Sequence, residues 1–131
     1  MRILAIRGAN IASLESFDVD FRQEPLASAG IFAITGPTGS GKSSLLDAMC
    51  LALFQEVPRL DSVSNKEGKI LSPFGELGLG DICNLIRQGT TSGFAETDFL
   101  GIDGEAYRAR WGCRTTKGKK ASAHEDVSLV R

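Results

Sequence analysis

The chain has 131 residues, one domain's worth and enough to bury a core. Its 42% apolar and 24% charged residues are ordinary for a globular protein, and a net charge of −1 gives no global electrostatic case for nucleic acid or membrane. The charge is unevenly placed, since Glu105 to Lys120 carries six Lys/Arg and one acid, while residues 1–104 carry eight basic and thirteen acidic side chains.

The opening RILAIRGANIASL reads as a β-rich start followed by a polar turn, with no apolar leader and no small-residue cleavage site. SFDVDF then alternates Phe17, Val19 and Phe21 with Asp18 and Asp20, the period-two pattern of a half-buried strand. RQEPLASAG is a connector, and Ile31 to Thr35 is expected as a short apolar strand. Ser43 to Phe54 is expected as a helix, largely buried because its polar side is narrow, and ended by Pro58. From Asp61 to Gly80 four glycines and many polar residues predict a long surface excursion. FAETDFLGIDGEAYRARW reads as a hairpin around Asp103-Gly104, a favoured tight-turn pair. Thr115 to His124 is polar and basic, with His124 a surface residue, and VSLVR reads as the start of a strand in what is expected to be a piece of something longer. No run approaches membrane-spanning length. Cys50, Cys83 and Cys113 are odd in number and lack CxxC spacing, which predicts neither a disulfide framework nor a zinc site but reduced thiols.

Between the apolar strand and the helix, Gly36-Pro37-Thr38-Gly39-Ser40-Gly41-Lys42-Ser43 matches G-x-x-x-x-G-K-[ST] at every position. Phosphate oxygens need several donors converging on one small volume, and successive backbone N–H groups supply them where the chain can curl into a nest. Glycine at the curl lets the anion approach, and the helix that follows points its amides and positive end at the same place. Lys42 adds a full charge toward the β- and γ-phosphates, and the Ser43 hydroxyl is suited to Mg²⁺. Asp47 lies one turn beyond Ser43, where it could orient a metal-bound water; a structural salt bridge is the simpler reading. Asn65-Lys66-Glu67-Gly68 fails the guanine-reading N-K-x-D pattern, and no D-x-x-G switch is present, which argues against GTP.

The run ITGPTGSGKSSLLDAMCLALFQEVPRL, with NIASLESFDVDF and QEPLASAGIFAITG upstream, resembles the N-terminal end of the SbcC family. That family comprises ATPase subunits of a bacterial DNA exonuclease and is related to the SMC and ABC ATPases. FAETDFLGIDGEAYRARW resembles the family's strand pair, so the likeness covers roughly residues 1 to 111. It implies an α/β P-loop NTPase of ABC/SMC head type, with residues 1–131 forming one N-terminal lobe. In such a lobe an antiparallel β-subdomain lies beside the P-loop strand and helix.

The resemblance also implies a site for ATP and Mg²⁺ (Mg2+) built from Gly36, Pro37, Thr38, Gly39, Ser40, Gly41, Lys42 and Ser43, with Ser43 on the metal. Ser44 is a further phosphate contact on this reading. Asn10 and Ser13 match the family's N-x-x-S turn near base and phosphates, although a polar turn between strands would give the same pattern. Ala12 departs from the arginine that related repair ATPases carry there, and Arg59 is either a nucleotide or DNA contact or a surface salt bridge. The implied partners are the C-terminal lobe of the same protein at the far end of a long coiled coil, a second head sandwiching ATP, an SbcD-type manganese-dependent nuclease and double-stranded DNA. A cytoplasmic location with no membrane is expected from the reduced thiols and the lack of a leader or membrane-spanning run.

Hydrolysis needs a polarised water and a metal held by further acids. No apolar run ending in Asp-Glu and no L-S-G-G-like stretch occurs, so no complete catalytic set is expected and hydrolysis by this chain alone should be negligible. Ile86-Arg87-Gln88-Gly89 looks like a metal-sensing Q-loop but directly precedes the first hairpin strand, where the family has a different turn. Arg108, Arg110, Arg114, Lys117, Lys119 and Lys120 form a local DNA-binding candidate, against which stands a solvated strand face. A transporter-type ATPase subunit, a small-molecule P-loop phosphotransferase and a nucleotide-gated interaction module stay open as alternatives.

Overall fold

The computed structural model describes residues 1–61, 68–72, 75–78, 81–115 and 123–131. The apolar alternation read from the sequence becomes an antiparallel sheet of five strands, β1 (Arg2–Ile11), β2 (Leu14–Asp20), β5 (Ser92–Leu100), β6 (Ala106–Thr115) and β7 (Ala123–Val130). Their order across the sheet is β2-β1-β5-β6-β7. The β5–β6 hairpin turns at Gly104, whose φ of 81° lies in the left-handed region that glycine enters without steric cost. A second sheet pairs β3 (Lys69–Ser72) with β4 (Gly75–Gly78), so the described part of the expected excursion is a hairpin, and Leu77 reaches the core. The fold class is the one expected, an antiparallel subdomain carrying a phosphate-loop helix.

Helix α1 (Lys42–Phe54) lies over β1, β5 and β6. Its buried residues are Ser44, Asp47, Ala48, Leu51 and Ala52, spaced at the three- and four-residue intervals that put them on one face. Ala48, Leu51 and Ala52 share a core cluster with Ala95, Trp111 and Cys113 of the sheet and with Ile11, Val57, Leu85 and Ile86. The indole N–H of fully buried Trp111 donates to Glu125 Oε2 at 3.0 Å.

Four expectations are corrected. Helix α1 buries one face, not most of its circumference: Leu46 and Phe54 are 55% and 62% exposed, because the sheet covers a single side. The helix ends at Phe54 because Gln55 takes a left-handed φ of 57° and its N–H returns to Leu51 O; Pro58 instead opens a short helix α2 (Pro58–Asp61). Residues Ile31 to Thr35 do not form a strand, since no strand among the described residues pairs with them, and Ile31 is 93% exposed. The thiols of Cys83 and Cys113 are joined as a disulfide, leaving Cys50 free. Sequence separation of 30 hid that pairing, which the 3₁₀ turn Ile82–Leu85 creates by bringing Cys83 against β6 with the two Cα atoms 6.1 Å apart.

The face of the sheet away from α1 is held by charge. Arg7 on β1 donates to Glu96 Oε1 and Asp98 Oδ2, both at 2.9 Å, across the strand pair. Arg108 adds bonds of 2.7 and 3.0 Å to Asp98, and Arg110 donates to Glu96 Oε2 at 3.0 Å while its guanidinium sits over the Phe94 ring. Buried carboxylates are tolerated where partners satisfy their lone pairs. The Arg108 bonds, opposed by burial and helped by Arg7, hold Asp98 at a pKa of about 2. For Glu96 burial pushes upward, but the bonds from Arg7 and Arg110 outweigh it and the net shift is down.

A carboxylate whose pKa is lowered on folding contributes stability that is present above its unfolded value and lost as pH falls through the folded one. Asp98→Asn should therefore cost about 1–2 kcal/mol at pH 7, with the lower figure reflecting solvent around half-exposed Arg108. Urea unfolding at a series of pH values should show the gap between the two proteins shrinking as pH falls from 3.8 toward 2. A gap independent of pH would mean that Asp98 acts through packing and not charge.

Candidate phosphate-binding site

The residues Gly36 to Ser43 form a loop directly before α1. Ser40 N–H returns to Pro37 O at 3.2 Å, closing a turn. Gly41 then takes φ 95° at the helix N-cap, where no side chain caps the first turn and no acid occupies it. Uncapped first-turn amides and the positive helix end together favour an anion. The Lys42 ammonium lies inside the loop, donating to Gly36 O at 2.6 Å, Pro37 O at 2.7 Å and Ser40 Oγ at 3.3 Å.

Above the loop, a pocket of about 350 Å³ is lined by Ser13, Thr38, Gly39, Gly41, Lys42, Ser43, Ser44 and Arg59. Of the residues anticipated from sequence, Gly36, Pro37 and Ser40 thus hold the lysine, while the other loop residues with Ser44 and Ser13 face the pocket. Ser43 is exposed and Ser44 buried. Ser13 arrives there because Asn10 and Ala12 adopt left-handed φ values of 56° and 48° and turn the chain between β1 and β2. That turn is fastened by Ala12 N–H to Leu85 O at 2.6 Å, Arg87 N–H to Asn10 O at 2.9 Å and Arg87 Nη1 to Ser13 O at 3.0 Å.

Asn10 is not brought to this pocket, because its amide donates to Ser92 O at 2.9 Å and ties the turn to β5. Arg87 is the positioning residue that sequence reasoning missed; its place in Ile86-Arg87-Gln88-Gly89 drew notice only as a possible Q-loop. That segment bridges to β1 through Ile86 and Ile11, ahead of β5. Asp47 pairs with Arg59, Nη2 to Oδ2 at 2.5 Å.

The donor set suits a nucleotide polyphosphate with its magnesium: amides free of side-chain caps, one ammonium, an exposed hydroxyl at Ser43 and glycines whose added Cβ would intrude. A Cβ on Gly41 would meet Leu14 Cδ2 at 2.5 Å and Ser13 Oγ at 3.4 Å. The basic stretch is different in character. Arg108 and Arg110 are engaged by Glu96 and Asp98, and Arg114 pairs with Asp126 at 3.2 Å. Lys117, Lys119 and Lys120 lie outside the described residues. Asp81, Cys83 and Glu125 place potential metal ligands within 4.8 Å of one another. Each is already occupied, Asp81 by Cys83 N–H, Cys83 by its disulfide and Glu125 by Trp111.

The chain is similar over nearly its whole length to known proteins. The family model described as AAA domain matches residues 5–128. The SbcC subunit of nuclease SbcCD from Pseudomonas aeruginosa is 55% identical over 124 residues, covering 94% of this chain and 10% of that protein. The SbcC subunit from Rhodobacter capsulatus is 50% identical across 100% of this chain and 11% of its own length. "DNA double-strand break repair Rad50 ATPase" of Methanopyrus kandleri is 29% identical over 101 residues, 77% of this chain and 8% of that protein. This chain therefore spans about a tenth of the length of the curated relatives it matches most fully. It belongs to the AAA domain family. Among the described residues no helix is long and apolar enough to cross a membrane.

Gly41→Ala should lower stability by about 1–3 kcal/mol, from left-handed strain plus the overlap with Leu14. Gly39→Ala, whose added Cβ meets nothing within 4 Å, should cost about 1 kcal/mol from the backbone alone. Thermal unfolding of the two variants compares them directly; equal costs would mean that the Ser13-Leu14 turn does not brace the loop.

Proposed function

Given its membership of the AAA domain family, we propose that this chain is the Mg-ATP-binding lobe of a DNA repair ATPase subunit of the SbcC type. The observation that carries the proposal is the uncapped start of α1, with the Lys42 ammonium and Ser43 hydroxyl beside it in one pocket. On this reading the loop amides and Lys42 hold the β- and γ-phosphates, Ser43 binds Mg²⁺, and Ser13 and Ser44 line the phosphate path. Bound Mg²⁺ neutralises phosphate charge. Lys42 is a phosphate-stabilising group and not a complete catalytic set, so this lobe binds nucleotide and hydrolyses it negligibly by itself.

The head is completed elsewhere in the same protein. Ile31, Phe32, Ile34 and Leu46 are 93%, 47%, 44% and 55% exposed. Phe32, Ile34 and Leu46 border an apolar groove of about 340 Å³ that also takes in Ile3, Ile6, Phe21 and Met49. An apolar segment with no strand beside it among the described residues is suited to strand addition, where main-chain bonds supply affinity. A C-terminal lobe of the same protein is the proposed occupant. A second head, an SbcD-type manganese-dependent nuclease gated by ATP-driven head engagement, and double-stranded DNA are partners proposed from the resemblance to the SbcC family. A cytoplasmic location belongs to the same proposal.

Lys42→Ala should abolish Mg-ATP binding, measured by titration calorimetry, while the circular dichroism of the chain stays unchanged. Equal affinity in the variant would remove the site assignment and with it the ATP reading.

A further inference from the structure

The short helix α2 is fixed from below. Val57 is fully buried and Leu60 packs against the same core cluster, three positions apart, with Leu60 N–H bonded to Val57 O at 2.9 Å. This two-point grip turns Arg59, which lies between them, away from the core. Its side chain is 49% exposed and lines the phosphate pocket together with Lys42, Ser43 and Ser44.

Asp47 meets Arg59 from α1. Its side chain is 10% exposed, and Arg59 Nη2 approaches Oδ2 to 2.5 Å. The contact lacks the alignment of a hydrogen bond, so this buried oxygen is paired by charge while it accepts no aligned donor. Burial pushes the Asp47 pKa up, and the positive charge of Arg59 opposes the shift. A buried carboxylate with imperfectly satisfied lone pairs is a poor source of stability. It is well suited to orienting a guanidinium, whose planar fork matches two phosphate oxygens and stays charged at every working pH.

We propose that Arg59 is a second cationic contact to the phosphates of the bound nucleoside triphosphate, and that Asp47 is the positioning residue that holds it over the pocket. The inference rests on the Mg-ATP reading above and extends it by two residues outside the phosphate-loop motif. Helix α1 then carries the phosphate site at its N-terminus and, one turn later, the anchor for the arginine that closes over it.

Titration of the 131-residue chain with Mg-ATP tests this in parent, Lys42→Ala, Arg59→Ala, Arg59→Lys, Asp47→Asn and Asp47→Asn/Arg59→Ala forms. Arg59→Ala should weaken binding about tenfold while the circular dichroism of the nucleotide-free chain stays that of a folded protein. Arg59→Lys should recover part of that loss. Asp47→Asn should weaken binding by about three- to tenfold, and the double variant should bind no more weakly than Arg59→Ala alone, as expected when one residue acts through the other. Parent affinity in Arg59→Ala, or a further loss when Asp47→Asn is added to it, would overturn the proposal. Should Asp47→Asn fail to fold, Arg59→Ala and Arg59→Lys decide alone. A parent that loses Mg-ATP with Lys42→Ala but keeps it with Arg59→Ala would overturn this inference and spare the nucleotide reading; a parent that binds no Mg-ATP overturns both.

Discussion

The seating of one face of α1 on the antiparallel sheet is the constraint from which the rest follows. Ala48, Leu51 and Ala52 enter a cluster floored by Ala95, Trp111 and Cys113, and small residues on the helix let it approach the strands closely. Because the helix is held along this face, its first turn has a fixed position relative to β1 and β2. The loop before it is then braced from one side by Leu14 against Gly41 and from within by Lys42 against the carbonyls of Gly36 and Pro37. Precise placement of backbone amides comes from packing outside the loop.

The two faces of the sheet solve different problems. Toward α1 the strands present Ala95, Thr97, Ala109 and Trp111, all nearly or fully buried. Toward the other side they present Arg7, Glu96, Asp98, Arg108 and Arg110 in register across three strands. Asp98 there meets two arginines and Glu96 three, which satisfies their charge and spends the basic side chains in doing so. An arginine committed to a low-pKa carboxylate offers phosphate little net charge, so counting basic residues between Glu105 and Lys120 overstates the anion affinity of the described strands.

Local signals in the sequence were the reliable ones. The alternation in SFDVDF, the Asp103-Gly104 turn and the glycine-lysine loop each depend on residues close in the chain, and β2, the β5–β6 hairpin and the start of α1 follow them closely. What local reading missed depends on partners far away. Ile31 to Thr35 has strand composition, but a strand exists only where a neighbour runs alongside. The narrow polar side of α1 suggested a largely buried helix, whereas one sheet can cover only one side of it. Cys83 and Cys113 meet because a 3₁₀ turn folds under β6, which no spacing rule records. In the candidate site, Ser13 was legible as part of a turn, while Arg87, which secures Ser13 through its carbonyl, sits in a Q-loop-like stretch that says nothing of that contact.

Two unfinished features converge on α1, and their proximity has a mechanical consequence. Leu46 lies one turn from Lys42 and faces the apolar groove, while Ser44 and Asp47 lie on the buried face beside the phosphate pocket. A rigid helix of 13 residues cannot shift at its first turn without moving Leu46 as well. On the proposed reading, phosphate binding at the N-terminus of α1 and lobe docking along its exposed side act on the same short rod. On that reading, a displacement that nucleotide imposed on the loop would be passed directly to the docking groove. Coupling between the two sites then needs no long relay of side chains, only the stiffness of three helical turns and the grip of Ala48 and Leu51 as the pivot.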